Sequence, residues 1–310
     1  MQLIRGLIHL PIFDQGCVLT IGNFDGLHLG HQIVIEKLIA HGKRLQLPII
    51  VMVFEPQPLE YFLAENAPAR LTRLREKILH FNQFKIDYLL MIKFNRQFAN
   101  CEAETFIEKI LIAQLQVKQL VIGDDFHFGK NRRGNTSMLQ HYGKRFNFTV
   151  EYTSSYYLHE YRISSTVIRD ALAAGQLDLA EKWLGRAYSI CGRVIHGDKR
   201  GRQLGFPTAN VALFRRNSPI QGVFAVTVTG IAQQIYYGVA NIGSRPTIRG
   251  KAEILLEIHL FNFNQEIYGY YLEIHFHYKI RDEMRFTSIK ELADQIQQDI
   301  IDAKNFLIKD

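Results

Sequence analysis

Residues 17–31 read CVLTIGNFDGLHLGH. The apolar run Cys17 to Ile21 predicts a buried strand that stops at Gly22. A polar, glycine-containing turn follows and opens into HLGHQIVIEKLIAHGKRL, which carries helical periodicity. His28 and His31 therefore sit three apart where a helix begins, on one face of it. A strand that ends in a glycine turn and a helix N-terminus suits an anion, because unpaired backbone N–H groups and the positive end of the helix dipole meet there.

Working outward, apolar runs alternate with helical patterns through the first half. The strands expected are 17–21, 48–54, 87–92, 118–122 and 148–152. The helices expected between them are 29–45, 72–84, 102–115 and 135–144. This alternation predicts a Rossmann-like α/β domain, a parallel sheet covered on both faces. Ligands of such sheets bind outside the C-terminal strand ends. Three loops collect there: GNFDGLHLGH, FEPQPLEYF (54–62) and GDDFHFGKNRRGN (123–135). Residues 162–184 are helical again, broken at Gly175. Near Gly185 the hydrophobic period changes from 3.6 to 2, which sets the expected domains at 1–185 and 186–310.

The second half reads as β, with strands at 188–195, 222–229, 233–240, 254–261 and 270–280. Short strands separated by turns predict a small antiparallel barrel or sandwich. In the last strand Leu272, Ile274, Phe276, Tyr278 and Ile280 alternate with Glu273, His275, His277 and Lys279. The tail 287–307 is an amphipathic helix whose stripe is Ile289, Leu292, Ile296, Ile300 and Ala303, expected to pack on the barrel.

Composition narrows the classes. A chain of 310 residues with 47% hydrophobic and 22% charged content is long enough for two globular cores. A net charge of +7 fits polyphosphate ligands as well as nucleic acid. Three scattered cysteines without a CxxC argue against a disulfide framework and a cysteine zinc site, and fit a reducing cytoplasm. No signal peptide is expected, and the longest apolar run falls far short of the roughly 20 residues of a membrane helix.

Each motif has a plain and a functional reading. The opening stretch is neither a Walker A loop nor GxGxxG. Its HxxH has no third metal ligand at a suitable spacing. RISSTVIR (162–169) is a serine-capped helix start, or two hydroxyls and Arg169 embracing phosphate. FEPQPLEYF is a turn with a solvated Glu60, or a rigid loop set by Pro56 and Pro58 that walls an aromatic ligand. In GDDFHFGKNRRGN, a solvated basic loop competes with aromatics that receive a flat ring while Lys130, Arg132 and Arg133 lie near phosphate. HGDKRGRQLGFPTANV (196–211) is a surface hairpin loop or a flexible basic loop for phosphates. Within it Thr208 and Asn210 point the same way in an extended segment. Their oxygens suit a magnesium held mainly by nucleotide phosphates. Glu257 shares a strand face with His259, as a solvent-facing residue or as a general base near an alcohol.

GxFDGxHxGH and ISSTxIR resemble the two signatures of the nucleotidyltransferase superfamily, which moves a nucleotide monophosphate onto an acceptor phosphate and releases pyrophosphate. The resemblance implies that His28 and His31 contact the triphosphate. It implies ATP binding by Gly22, Phe24, Asp25, Gly30, Ser164, Ser165, Thr166 and Arg169. The FEPQP and DDFHFGKNRRG loops are similar to those of bacterial FAD synthetases, which implies FMN binding by Phe54, Pro56, Pro58, Asp125, Phe126, Phe128 and Arg132. GxxxGRxLGFPTAN, GVANIGSRPT (238–247), ExH and IRDEMRF (280–286) resemble riboflavin kinase. That likeness implies a second ATP site at Gly197, Lys199, Gly201, Gly205, Phe206 and Pro207. It further implies Mg2+ on Thr208 and Asn210, base catalysis by Glu257, and flavin contact by Arg281, Met284 and Phe286.

In order, the whole chain resembles the bifunctional riboflavin kinase/FMN adenylyltransferases of bacteria. The substrates implied are riboflavin, FMN, FAD and ATP, with no nucleic acid or membrane partner. A different small-molecule nucleotidyltransferase with an accessory barrel is one rival reading. A nucleic-acid-binding protein is another, weakened by the scatter of the basic residues and the absence of KMSKS. A non-catalytic flavin sensor is a third.

Overall fold

Cys17–Ile21 is buried at every position, which a central parallel strand covered on both faces requires. The computed structural model describes residues 1–158, 160–197, 201, 205–246 and 252–308. It divides into two units, Met1–Pro68 with Thr72–Ser164, and Ala69–Leu71 with Ser165–Asp310.

The first unit holds β1 (Gln2–Arg5), β2 (Cys17–Ile21), β3 (Ile49–Glu55), β4 (Tyr88–Lys93), β5 (Val117–Gly123) and β6 (Thr149–Thr153), in the order β1-β4-β3-β2-β5-β6. Every neighbouring pair is parallel. The five expected strands are all present, and the strand order reverses between β2 and β5, where such sheets open a binding crevice. Leu19, Ile21, Ile50, Met52 and Leu120 pack in one core with Phe106 and Ile107. Val18, Val51, Val53 and Leu89 point to the other core, with Ile35, Leu38 and Phe81. β1 was not anticipated: it is four residues long with only Ile4 buried, too short to show a period.

Helix Leu29–Leu45 matches its expected limits and begins at the His28 N-cap. The helical stretch from Ala103 continues as a π-helix over Phe106–Gln114. FEPQPLEYF is not loop throughout. Pro58 opens a short helix, Pro58–Leu63, as a residue with no N–H to lose at a first helical position. The Gln57 N–H donates to Glu60 Oε2 at 2.9 Å, so Glu60 caps that helix. A short hairpin, β7 (Tyr157–Leu158) with β8 (Tyr161–Arg162), follows the sheet.

In the second unit, helices Ser165–Ala173 and Leu177–Leu184 flank Gly175, which has φ +75° as the expected break requires. Gly185 caps the second helix in the left-handed region, and strands begin directly after it. The strands are β9 (Tyr188–Ile195), β10 (Ala209–Ala212), β11 (Gly222–Ile231), β12 (Gln234–Pro246), β13 (Ala252–Leu260) and β14 (Tyr271–Arg281). They close as an antiparallel barrel, β10-β13-β12-β11-β14-β9.

Two details of the expected patterns fail. Leu272, Ile274 and Phe276 are buried, but Tyr278 is 46% exposed and stacks on Phe306. The β11–β14 register shifts between Ala225 and Val226, which inserts an extra residue in β14 and turns Tyr278 to the other face. Ile289 is 73% exposed. It is the first residue of helix Ile289–Leu307, whose Ser288 N-cap accepts from the Glu291 N–H, and the packed stripe starts a turn later at Leu292.

That C-terminal helix is tied to the barrel by a two-pronged ion pair. Arg281 Nε and Nη2 each donate to Asp299 at 2.8 Å, and Asp299 is 3% exposed. Asp299→Ala leaves the arginine without its carboxylate, and breaking a buried pair costs about 3 kcal/mol. Urea unfolding followed by fluorescence of Trp183, the chain's one tryptophan and a buried residue of this unit, should show that loss. An unchanged midpoint contradicts it.

Candidate active sites

The β2–helix turn takes an unusual path. Phe24, Gly26 and Leu27 have φ of +47°, +82° and +46°. Phe24 and Leu27 are buried and non-glycine, so something must hold them in the left-handed region. Asp25, 2% exposed, accepts from the Thr72 N–H at 3.0 Å and from the Thr72 hydroxyl at 3.3 Å. The Gly26 N–H donates back to that hydroxyl at 2.9 Å. Lys77, 1% exposed, donates to the Asn23 carbonyl at 2.5 Å. Asp25 thus faces inward and fastens the turn. A side chain at Gly22 would crowd the Phe24 ring, and one at Gly30 would meet the His28 ring at 3.3 Å.

His28 caps the helix through its ring: the His31 N–H donates to His28 Nδ1 at 3.3 Å. Nδ1 as acceptor places the proton of the neutral His28 ring on Nε2, which makes that edge of the ring a donor. The two imidazoles stack at 3.6 Å between centroids, 18° apart. Burial, then His28, then the Lys77 charge hold the His31 pKa well below the ordinary histidine range. Its Nδ1 is buried with no hydrogen-bond partner among the described residues.

A row of aromatic rings joins the loops after β3 and β5. Phe54 meets Phe98 at 5.5 Å, Phe98 meets Phe106 at 6.1 Å, Phe106 meets Phe128 at 5.4 Å, and Phe128 stacks on Phe126 at 5.7 Å. Phe128 is 8% exposed, and its backbone pairs with Gly134, where a Cβ would strike the Phe128 ring. Phe126 is the more accessible of the two. Asp125 pairs with Arg162 at 2.9 Å, and Arg132 holds φ +58°. Pro56 lies in the turn between Phe54 and the Pro58 helix. Of RISSTVIR, Ser164 closes the first unit, whereas Ser165, Thr166 and Arg169 lie on helix Ser165–Ala173 of the second. Arg169 Nε donates to the Ala69 carbonyl at 2.6 Å.

The barrel brings a second constellation together by register alone. Asn210 lies opposite Glu257, Glu257 opposite Asn241, Asn241 opposite Val223, and Val223 opposite Arg281. This one rung crosses β10, β13, β12, β11 and β14, and all five residues line a cavity of about 440 Å³. Phe206, His259, Met284, Phe286 and the helix residues Leu292 and Ile296 also line it. Glu257 therefore faces this cavity, with Leu256 and Ile258 fully buried on the opposite face. Arg281 lines the cavity with its guanidinium held by Asp299.

Thr208 lines that cavity and also a neighbouring one of about 160 Å³, walled by Pro207, Ala209, Phe263 and Tyr268 among others. A side chain at Gly197 would collide with the Asn210 amide, and Gly205 has φ +83°. The Phe206 N–H donates to the Gly201 carbonyl at 2.8 Å. Lys199 lies outside the described residues. Among the described residues no three His, Cys, Asp or Glu side chains gather to hold a metal. Any divalent ion here would rest on neutral oxygens such as Thr208 and Asn210 plus ligand phosphates, a donor set that suits magnesium.

Sequence reasoning passed over Thr72, Lys77, Phe98, Asn241 and Asp299. Lys77 carried a signal, a charge on the buried stripe of LREKILHF, where Phe81 and His80 are also buried. Asn241 and Asp299 stand likewise as polar residues within apolar patterns.

Residues 11–167 match the FAD synthetase family and residues 184–307 the riboflavin kinase family. The chain belongs to both families in tandem. It is 53% identical over 306 residues to a bifunctional riboflavin kinase/FMN adenylyltransferase of Haemophilus influenzae, with 99% of each chain covered. It is 47% identical to the protein of that name from Escherichia coli K12, covering 99% of this chain and 98% of the other. A crystal structure named macrolide-efflux protein, from Streptococcus pneumoniae, shares the fold with a TM-score of 0.81, 30% identity and 96% of each chain covered. No helix among the described residues is long and apolar enough to cross a membrane.

The lowered pKa of His31 has a consequence for stability. Below about pH 6.5, the ordinary histidine value, the unfolded chain binds a proton at position 31 that the folded chain refuses. Stability from this residue is whole above that pH and falls as pH drops, by up to about 1.4 kcal/mol per unit. In a 15N NMR titration from about pH 8 to about pH 5 the His31 ring signals should stay fixed. A midpoint near 6.5 contradicts the assignment.

Proposed function

We propose that the chain converts riboflavin to FMN in residues 186–310 and FMN to FAD in residues 1–185, using ATP twice, in the cytoplasm. The observation that carries the kinase half is Thr208, shared by two adjoining cavities, one of which holds Glu257. Two substrates held there would meet at Thr208.

In the first reaction the Glu257 carboxylate takes the proton of the ribityl 5′-hydroxyl. The hydroxyl oxygen bonds to the γ-phosphorus of ATP as the bond to ADP breaks. The apolar wall of Val223, Phe286, Leu292 and Ile296 would receive the flavin ring, and the neighbouring cavity would take the nucleotide. Gly197, Lys199, Gly201, Gly205, Phe206 and Pro207 are assigned to its phosphates by the resemblance. Thr208 and Asn210 would hold Mg2+, which when bound neutralises phosphate charge.

In the second reaction an FMN phosphate oxygen attacks the α-phosphorus of ATP and pyrophosphate leaves. His28, with Nε2–H as donor, and neutral His31 would stabilise the charge that develops on the phosphate oxygens, by hydrogen bonding and not covalently. Ser164, Ser165, Thr166 and Arg169 are assigned to the leaving phosphates on the resemblance. The aromatic row would receive the isoalloxazine of FMN, with Phe126 and Phe54 at its ends.

The division of labour is tested by two variants. His31→Ala should slow FAD formation about 10²–10³-fold and let FMN accumulate. Glu257→Ala should slow FMN formation about 10²–10⁴-fold and leave conversion of supplied FMN to FAD intact. Loss of both activities in either folded variant contradicts the assignment.

A further inference from the structure

Besides Arg281, whose guanidinium Asp299 holds, the rung through the barrel contains one polar residue that the proposed chemistry does not use. Asn241 lies beside Glu257 on the neighbouring strand, at cross-strand spacing of about 5 Å, and lines the same cavity. Its Oδ1 is buried and has no hydrogen-bond partner among the described residues. A buried amide oxygen left unpaired destabilises the protein, so a partner is expected when the cavity is filled.

The chemistry of that partner follows from the neighbours. The missing partner must be a donor. The Glu257 carboxylate accepts, and Val223 on the other side offers nothing polar. The edge of a flavin ring carries mostly acceptors, whereas its polyol chain carries four hydroxyls. Glu257 is assigned to the terminal hydroxyl. An oxygen about one strand spacing away lies level with a secondary hydroxyl nearer the ring.

We propose that Asn241 is a specificity residue that accepts a hydrogen bond from a secondary hydroxyl of the substrate's polyol chain. It thereby sets the chain's reach toward Glu257. This rests on the kinase reading of the cavity. A site built to bond a hydroxyl discriminates against a ligand lacking it, because its own polar atom is then left unpaired.

The test uses the full chain with riboflavin as substrate and lumiflavin, a flavin with no polyol chain, as competitor. Asn241→Leu should raise the KM for riboflavin about tenfold, the order expected for one lost hydrogen bond. It should leave the lumiflavin inhibition constant within about twofold, and FAD formation from supplied FMN unchanged. Asn241→Ser, which keeps a hydroxyl acceptor, should recover part of the loss; if the leucine variant does not fold, Asn241→Ala takes its place. An unchanged riboflavin KM in the apolar variant overturns the inference. So does equal weakening of both flavins, which marks a structural role, or a serine variant as weak as the apolar one. Absence of FMN formation by the parent chain would defeat the kinase reading itself, and this inference with it.

Discussion

The Asp25 carboxylate, almost sealed from water, accepts two hydrogen bonds from Thr72, and the geometry of the first site depends on that contact. A buried carboxylate with too few donors costs several kcal/mol, so position 25 tolerates an acid only where donors are in place. The reward is a turn in which Phe24 and Leu27 stay left-handed, a conformation that costs roughly 1–2 kcal/mol at each non-glycine residue. The turn delivers His28 to the helix N-cap and stacks His31 beneath it. In the proposed adenylyl transfer, donors fixed in this way would need no reorganisation as charge develops on a phosphate.

In the second unit the corresponding constraint is register. Asn210, Glu257, Asn241, Val223 and Arg281 come from five strands and share one rung because antiparallel pairing sets each opposite the next. A slip of one residue in β13 would turn Glu257 from the cavity and put Leu256 or Ile258 there. The Arg281–Asp299 pair then fixes the C-terminal helix, which supplies the apolar side of the cavity. The Glu257 carboxylate, the neutral oxygens and the apolar wall are thus positioned by the same barrel and the helix packed on it.

Much of this was legible in the sequence, for identifiable reasons. Long periodic segments such as 29–45 and two-sided apolar runs such as 17–21 declare their structure locally. β1 and the π-helix did not, since four residues show no period and a π-helix has nearly the same pattern as an α-helix. Tyr278 left its expected face because a bulge depends on the partner strand, which one strand's sequence does not contain. Thr72, Lys77 and Asp299 reach partners distant in sequence, and Asn241 meets Glu257 only through strand pairing, so their importance emerges only from the fold. Arg281 is named by a motif, but nothing in that motif points to its bond with Asp299.

One chain takes a flavin alcohol to its phosphate and then to its dinucleotide. The most direct measurement incubates the purified protein with riboflavin, ATP and magnesium and separates the flavins over time. FMN should appear first, then FAD at its expense, with ADP and pyrophosphate as the two by-products. Recovery of riboflavin alone, or of FAD without ADP formation, would contradict it.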